Sequence, residues 1–469
     1  MQADLIVVGA GPAGMAATAT AAEKGLRVLI LDEQPRAGGQ IYRDVERSGS
    51  KRIDILGQDY LAGLPLAEGL AEPGITHVTG ATVWQIEPDG TVAYSVDGRA
   101  AMAYGRRLLL ATGALERSMP VPGWTLPGVM TAGAGQILLK ESGVVATRAV
   151  LAGSGPLLYL IGAQMIRAGK PPLAMVETQS RSDLFGAMRY IGGAIRGWRY
   201  LAKGLGLLAE IRKAGVPRYT AASQIAVEGT DRVEALDFVS GGKRHRIECQ
   251  TVFLHHGVVP NTQASRSLDL PHRWDSTQAC FIPETDAWGR SEISTVFVAG
   301  DGAGIGGAKV AEHAGRLVAV AVAHDLQQIS TAERDRAAAS ICTEYDKDQA
   351  VRPFLDHAYP PYAGALQPAD DTIVCRCEEV TAADVRRYAS LGCKGPNQTK
   401  AFGRPGMGPC QGRYCGLTVT SLLAKETGQD MDQTGYFRIR PPLKPVTLGE
   451  LAAMDETPEP SAGETQNEA

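Results

Sequence analysis

The sequence predicts an α/β protein with two dinucleotide-binding units, the second nested inside the first, followed by a small α-rich module at the C-terminus. Three observations carry that prediction: two strand–glycine-turn–helix units, a strand ending in Gly300-Asp301 that runs into a long apolar helix, and a late cluster of cysteines. The expected divisions are 1–118 and 258–330 for the split first unit and 119–257 for the nested one. A helix and proline-rich linker follow over 331–371, then the cysteine module over 372–435, and an extension over 436–469 that ends in an acidic disordered tail.

Size and composition agree. A chain of 469 residues with 44% apolar side chains suits about three globular domains. The net charge of -4 comes from well-mixed acids and bases, so no basic face announces nucleic acid. No apolar run reaches the roughly 18 residues of a membrane-spanning helix. The opening "MQADLIVVGAGPAGMAATATAA" lacks a basic n-region and is broken by Gly9, Gly11 and Gly14, so it reads as strand, turn and helix rather than a leader. Eight cysteines in so long a chain argue against a disulfide framework and for a reducing, cytoplasmic setting, with peripheral membrane association left open.

In the first unit, "DLIVVGA" ends in Gly9-x-Gly11-x-x-Gly14, with Pro12 and Ala13 opening an Ala-rich helix. A second strand, "RVLILDE", delivers Asp32 and Glu33, followed by Gln34. The glycines permit a tight turn and close backbone approach to a pyrophosphate at the helix N-terminus, while the acid at the strand end, Glu33 by spacing, takes a ribose hydroxyl. An Ala/Gly-rich helix start without ligand is the alternative. Strand, triplet, helix, second strand and acid all falling at the right spacing favour the nucleotide.

Two later segments say which nucleotide. "RRLLLATGALE" is a strand ending in Ala111-Thr112-Gly113, and "STVFVAGDGAGIGGAKVAEHAGRLVAVAVA" carries Gly300-Asp301 before its helix. Both resemble accessory motifs of FAD-binding two-dinucleotide-domain flavoproteins. That resemblance implies that Asp301 bonds the ribityl chain and that the following helix points its N-terminus at the isoalloxazine, where helix N–H groups stabilise a polarised oxygen. "GGQIYR", with Gly39, Gln40 and Ile41, and "ATVWQI", with Val83, resemble the flavin-wrapping and adenine-contacting segments of the same group.

The nested unit, "RAVLAGSGPLLYLIGAQMIRAGKPPLAMVETQ", has Gly153-x-Gly155, then Pro156 and Leu157, and Glu177 after its second strand. Leu158 stands where the third glycine should be, which degrades the seat of a diphosphate. NAD(P)H, an adenine nucleotide such as ATP or ADP, and a purely structural role all remain open. "HHGVVPNT" resembles the segment returning such chains to the FAD domain, and no motif puts an acid beside His255 or His256, so both are expected to be buried or turn residues.

Disulfide reductases of this superfamily carry a redox-active cysteine pair after the "GG" segment or within the nicotinamide domain. This chain has no cysteine before Cys249, so that chemistry lacks a nucleophile. Cys249, Cys280 and Cys342 read as small apolar fillers. "PFLDHAYPPYAGALQPADD", with four prolines, reads as a semi-rigid linker after a helix near 331–350.

The remaining thiols form a set: Cys375-x-Cys377, thirty-two residues, then Cys410-x4-Cys415. Four thiolates at one locus want a metal. Between them Thr381 caps one short helix, with Asp384 three residues on and Gly392 at its end, so the two loops can meet. Structural zinc favours C-x2-C knuckles, whereas this spacing suits two irons held from different loops; zinc and uncoordinated thiols are the alternatives. Glycines 406, 408 and 412 let backbone N–H groups approach the sulfurs. Cys393 is a spectator. The spacing resembles the bacterioferritin-associated-ferredoxin-like 2Fe-2S module, with Cys375, Cys377, Cys410 and Cys415 as the implied ligands.

Together with "DEQPRAGGQIYR", "PVPGWTLPGVMTAGAGQ", "LAGSGPLL" and "RIRPPLKPVTLGELA", these motifs resemble one family along nearly the whole chain. It is the alpha (A-type) subunit family of heteromeric FAD-dependent amino-acid dehydrogenases and oxidases. Its members are the A-type chain of opine oxidase, the alpha chains of hydroxyproline and proline dehydrogenases and the B-type chain of hydrogen cyanide synthase, and the sarcosine oxidase alpha chain shares parts of it. The resemblance implies a beta subunit similar to D-amino-acid oxidase that oxidises the substrate, and an electron relay here through a 2Fe-2S cluster and FAD to an acceptor such as a quinone. In some relatives it further implies a small gamma subunit with an interfacial FMN. The competing readings are a self-sufficient NAD(P)H-dependent FAD/iron-sulfur reductase and a mainly structural chain. No constellation of His, Tyr and Arg for clamping a substrate carboxylate stands out in the sequence, so no catalytic residue is named.

Overall fold

The computed structural model describes residues 1–456; the distal part of the acidic tail lies outside the described residues. Continuous apolar runs build its central sheet, as strands buried on both faces require. Ile75–Thr79, Val28–Asp32, Gln2–Val8 and Arg99–Leu110 lie side by side in that order and in parallel, with Leu5 opposite Val28 and Arg107. Val296–Val298 adds in parallel to the end of Arg99–Leu110, and Thr91–Val96 and Thr82–Ile86 continue the sheet as an antiparallel ribbon.

The helices Pro12–Glu23 and Ala308–Asp325 cover one face, so close that a Cβ on Gly315 would lie 2.1 Å from the Ala13 carbonyl oxygen. The nested unit is a second parallel sheet, ordered Arg218–Tyr219, Ala174–Glu177, Ala149–Gly153, Thr251–His255 and Val129–Thr131, beside a three-stranded antiparallel sheet.

Three expectations are corrected. The proline-rich segment is no bare linker: Arg352–Ala358 starts a helix with Pro353 in its first turn, where the missing N–H costs nothing, and Ala363–Leu366 forms another turn. Two helices, not one, separate the cysteine loops: Ala382–Ser390, capped by the reciprocal Thr381–Asp384 box, and Pro396–Gly403. Cys249 and Cys280 are buried fillers, but Cys342 is exposed, because the helix Thr331–Gln349 turns it to water.

The cysteine module is not a separate bead. Val374, Val385, Leu422, Phe437 and Ile439 join Ile6, Leu29, Val92 and Leu108 in one apolar cluster, so the module roofs the other face of the central sheet. Burial of that shared surface, at about 25 cal/mol per Å², fixes where the thiols sit.

Candidate functional site

The glycine turn is set by sterics. Gly9 has φ +104°, and a Cβ on Gly14 would stand 1.9 Å from the Gly9 carbonyl oxygen, so strand and helix meet only with glycine there. Gly38 donates its N–H to the Ala10 carbonyl at 2.8 Å, and Gly39 lies against Gly11, which brings Gln40 and Ile41 beside the turn. Of the two acids, the strand ends on Asp32, and its carboxylate accepts from Ala10 N–H (2.5 Å) and Gln34 N–H (2.7 Å). Burial pushes the Asp32 carboxyl up, against those two N–H bonds. Glu33, the residue favoured by spacing, instead points out to Lys444 of the C-terminal extension at 2.9 Å. Ala81 N–H bonds to the Asp32 carbonyl, so the strand carrying Val83 flanks the same spot.

Across the sheet, Thr112 Oγ1 donates to the Asn261 carbonyl (2.9 Å) and Asn261 N–H to the Gly113 carbonyl (2.9 Å), which staples Ala111-Thr112-Gly113 to the returning "PNT" segment. Asp301 Oδ1 accepts from Gly306 and Gly307 N–H, both at 2.9 Å, and so shapes the loop before Ala308–Asp325. Apart from Glu33, which turns away to Lys444, the glycine turn, Asp32, Ala111-Thr112-Gly113 and Gly300-Asp301 follow the carboxyl ends of strands of the first sheet, the end at which open α/β sheets bind ligands.

The nested site is different. Gly153, Gly155, Pro156 and Leu157 form the expected turn, with Leu158 buried in the helix behind it. Glu177, however, is fully engaged: Arg218 grips both its oxygens at 2.6 and 2.9 Å, and Tyr159 OH (2.8 Å) and Gln179 Nε2 (2.6 Å) donate as well. His255 is buried as expected, but an acid does stand beside it. Its Nδ1 lies 2.6 Å from Glu116 Oε1, and its Nε2 would meet a Cβ on Gly155 at 2.9 Å, so the ring lies against the turn. His256 is buried between the Ser118 carbonyl and Tyr362 N–H, and burial drives its pKa well down, leaving it neutral.

The thiols neighbour one another in two pairs, Cys375 with Cys415 and Cys377 with Cys410. The neighbouring Cys415 thiol, and after it the backbone N–H groups of Gly406, Glu378 and Cys377, bring the Cys375 thiol down, against burial, to about 6. The neighbouring Cys375 thiol, with burial, pushes Cys415 well up. Burial raises Cys377. A Cβ on Gly408 would lie 2.2 Å from Cys377 Cβ, so glycine is what lets the second loop close on the first. Among the described residues no three metal-binding side chains are set at ligating geometry. As a donor set, two neighbouring pairs of cysteine sulfurs are of the chemistry that binds a group through thiolates.

Comparison with known proteins assigns the chain. Residues 3–324 match the family of pyridine nucleotide-disulphide oxidoreductases, and residues 370–455 match the sarcosine oxidase A3 domain. The A-type subunit of opine oxidase from Rhizobium meliloti (strain 1021) is 42% identical over 462 residues, 97% of this chain and 99% of that one. The chain belongs to the opine oxidase A-type subunit family. Its counterpart from Agrobacterium tumefaciens (strain Ach5) is 43% identical, covering 97% and 92% of the two chains. The HcnB subunit of hydrogen cyanide synthase from Pseudomonas protegens is 30% identical, covering 97% and 99%. The fold agrees with that of L-proline dehydrogenase from P. horikoshii, at TM-score 0.71 and 18% identity over 96% of this chain and 79% of that one. Membership makes the chain an oxidoreductase with the FAD-binding fold and one of the subunits of a heteromeric flavin oxidase. No helix of the described residues is long and apolar enough to cross a membrane.

Sequence reasoning missed Lys140. Its buried ammonium donates to the Gln40 (3.0 Å) and Ile41 (2.8 Å) carbonyls and to Gln136 Oε1 (2.9 Å), pinning the segment beside the glycine turn. Burial, helped by Arg43, pulls its pKa down to about 7. No local motif marks it. Glu116, Arg218 and Asn261 were equally hidden, because each acts on a residue distant in sequence.

Proposed function

We propose that this chain is the electron-transfer (alpha, or A-type) subunit of a heteromeric flavin-dependent dehydrogenase acting on the CH–NH bond of amino acids, opines or imino acids. FAD would take and give electrons in pairs, and a 2Fe-2S cluster would pass them singly between the flavin of a beta chain and an acceptor such as a quinone. Asp32, the Gly9–Gly14 turn and the segment at Gly39–Ile41 would hold the dinucleotide, with Asp301 and the helix start at Ala308 near the flavin end. Cys375, Cys377, Cys410 and Cys415 would hold the cluster.

One observation carries the reading: the thiol loop is tied to the flavin motif through protein. Gln411, next to Cys410, accepts from Gln263 Nε2 at 3.4 Å, and Gln263 lies two residues from Asn261, which clasps Thr112 and Gly113. Trp124 ties the same module to the nested unit, donating to the Ile373 carbonyl at 2.6 Å, two residues before Cys375. A self-sufficient NAD(P)H reductase is disfavoured, since Glu177 is consumed by Arg218. An adenine nucleotide at the nested site, an interfacial FMN and a gamma chain are compatible additions that these residues do not require.

Iron and acid-labile sulfide in the anaerobically purified chain test the reading. About two of each per FAD are expected; zinc in their place, or neither, contradicts it.

A further inference from the structure

The nested unit carries a face that its own fold leaves uncovered. Between Ala174–Glu177 and Arg218–Tyr219 the chain makes the helices Arg181–Ala187, Ile191–Arg196 and Trp198–Lys213. On the last, Leu207, Leu208 and Ile211 turn toward the sheet, where Leu207 and Ile211 are buried. Trp198, Ala202, Leu205 and Ala209 repeat at helical spacing on the opposite side and are all exposed. Trp198 is 61% and Leu205 68% exposed, and the preceding helices add Phe185 at 84% and Ile195 at 63%. A second apolar stripe on a helix that already has its buried one is not needed for the fold.

Charge says what it meets. Residues 181–213 hold seven Lys and Arg against two acids, net +5 in a chain whose total is -4. Both acids are taken: Asp183 closes the capping box with Ser180, and Glu210 is held by Arg167 at 2.7 Å. Of the seven cations only Lys203 has an ion-pair partner among the described residues, Asp59 at 2.5 Å. Aromatic and aliphatic side chains interleaved with free cations match an anionic lipid surface, whose acyl boundary takes the rings and whose phosphates take the guanidinium groups. Another protein covering the face would leave those guanidinium groups desolvated and in need of partners.

We propose that the 181–213 face is a membrane-docking surface that seats the chain on an anionic bilayer without crossing it. The test uses the full FAD-loaded chain, alone and with its co-purified partner subunits, on vesicles of phosphatidylglycerol and phosphatidylethanolamine or of phosphatidylcholine alone. Binding to the anionic vesicles is expected, with a blue shift of Trp198 fluorescence and loss at high salt. The triple variant Phe185→Ser, Trp198→Ser, Leu205→Ser should weaken it about tenfold or more, as should Arg189→Glu with Arg196→Glu, with FAD content unchanged. Absence of binding to anionic vesicles at low salt overturns the proposal. So do binding that neither variant alters, and variants that spare vesicle binding but release the partner subunits, which would make the face a protein interface.

Discussion

Arg218 closes a two-pronged ion pair on Glu177, 2.6 and 2.9 Å, across the edge of the nested sheet. That pair occupies the carboxylate a nicotinamide nucleotide would need for its ribose, while Leu158 fills the place of the third glycine. NADH and NADPH are therefore expected to leave the flavin oxidised in anaerobic rapid mixing, and fast bleaching by either would contradict this. Titration calorimetry with ATP or ADP reads whether an adenine nucleotide can still enter beside the pair.

Removing Arg218 strands a buried carboxylate. Arg218→Ala should cost about 3 kcal/mol in urea unfolding, and Arg218→Lys should recover only part, since an ammonium cannot reproduce the two parallel bonds. A loss below about 0.5 kcal/mol would mean that Glu177 is satisfied by Tyr159 and Gln179 alone.

Lys140 gives the fold a pH signature. Its pKa is about 7 in the folded chain and near ~10.4 when unfolded, so between these values the unfolded chain binds the extra proton. Its contribution to stability therefore rises with pH from about 7 to about 10, and its full burial penalty is present below 7. Lys140→Met should remove that slope from the melting temperature. By freeing the Gln40 and Ile41 carbonyls it should also weaken FAD retention about tenfold in dialysis.

The two thiol pairs make separable claims. Cys375→Ser, Cys410→Ser and Cys415→Ser should each lose iron and sulfide and keep FAD, because the flavin residues lie on the other loops. Cys393→Ser, a change in a buried core position of the same module, should keep both. Loss of iron with Cys393→Ser alone would reassign the ligand set.

How much of this was legible follows from sequence distance. Gly9, Gly14 and the Thr381 cap announce themselves because turn and cap are local devices. That Glu33 pairs with Lys444 was not legible, since Lys444 arrives from the far end of the chain. Nor was the acid beside His255: Glu116 comes from Ala114–Glu116, paired antiparallel to Val258–Pro260. The proline-rich stretch misled in the other direction, because a proline in a first turn opens a helix as readily as it marks a linker.

The central claim is that donor oxidation belongs to a partner and electron delivery to this chain. The most direct measurement is anaerobic turnover of an opine, amino acid or imino acid, with a dye as acceptor, by the isolated 469-residue chain and by the chain joined to its partner subunits. The account predicts no turnover by the isolated chain and turnover by the assembly. In an assembly carrying Cys415→Ser, substrate should still reduce the partner flavin while delivery to the dye slows. Full turnover by the isolated chain would contradict the account and make this the catalytic subunit.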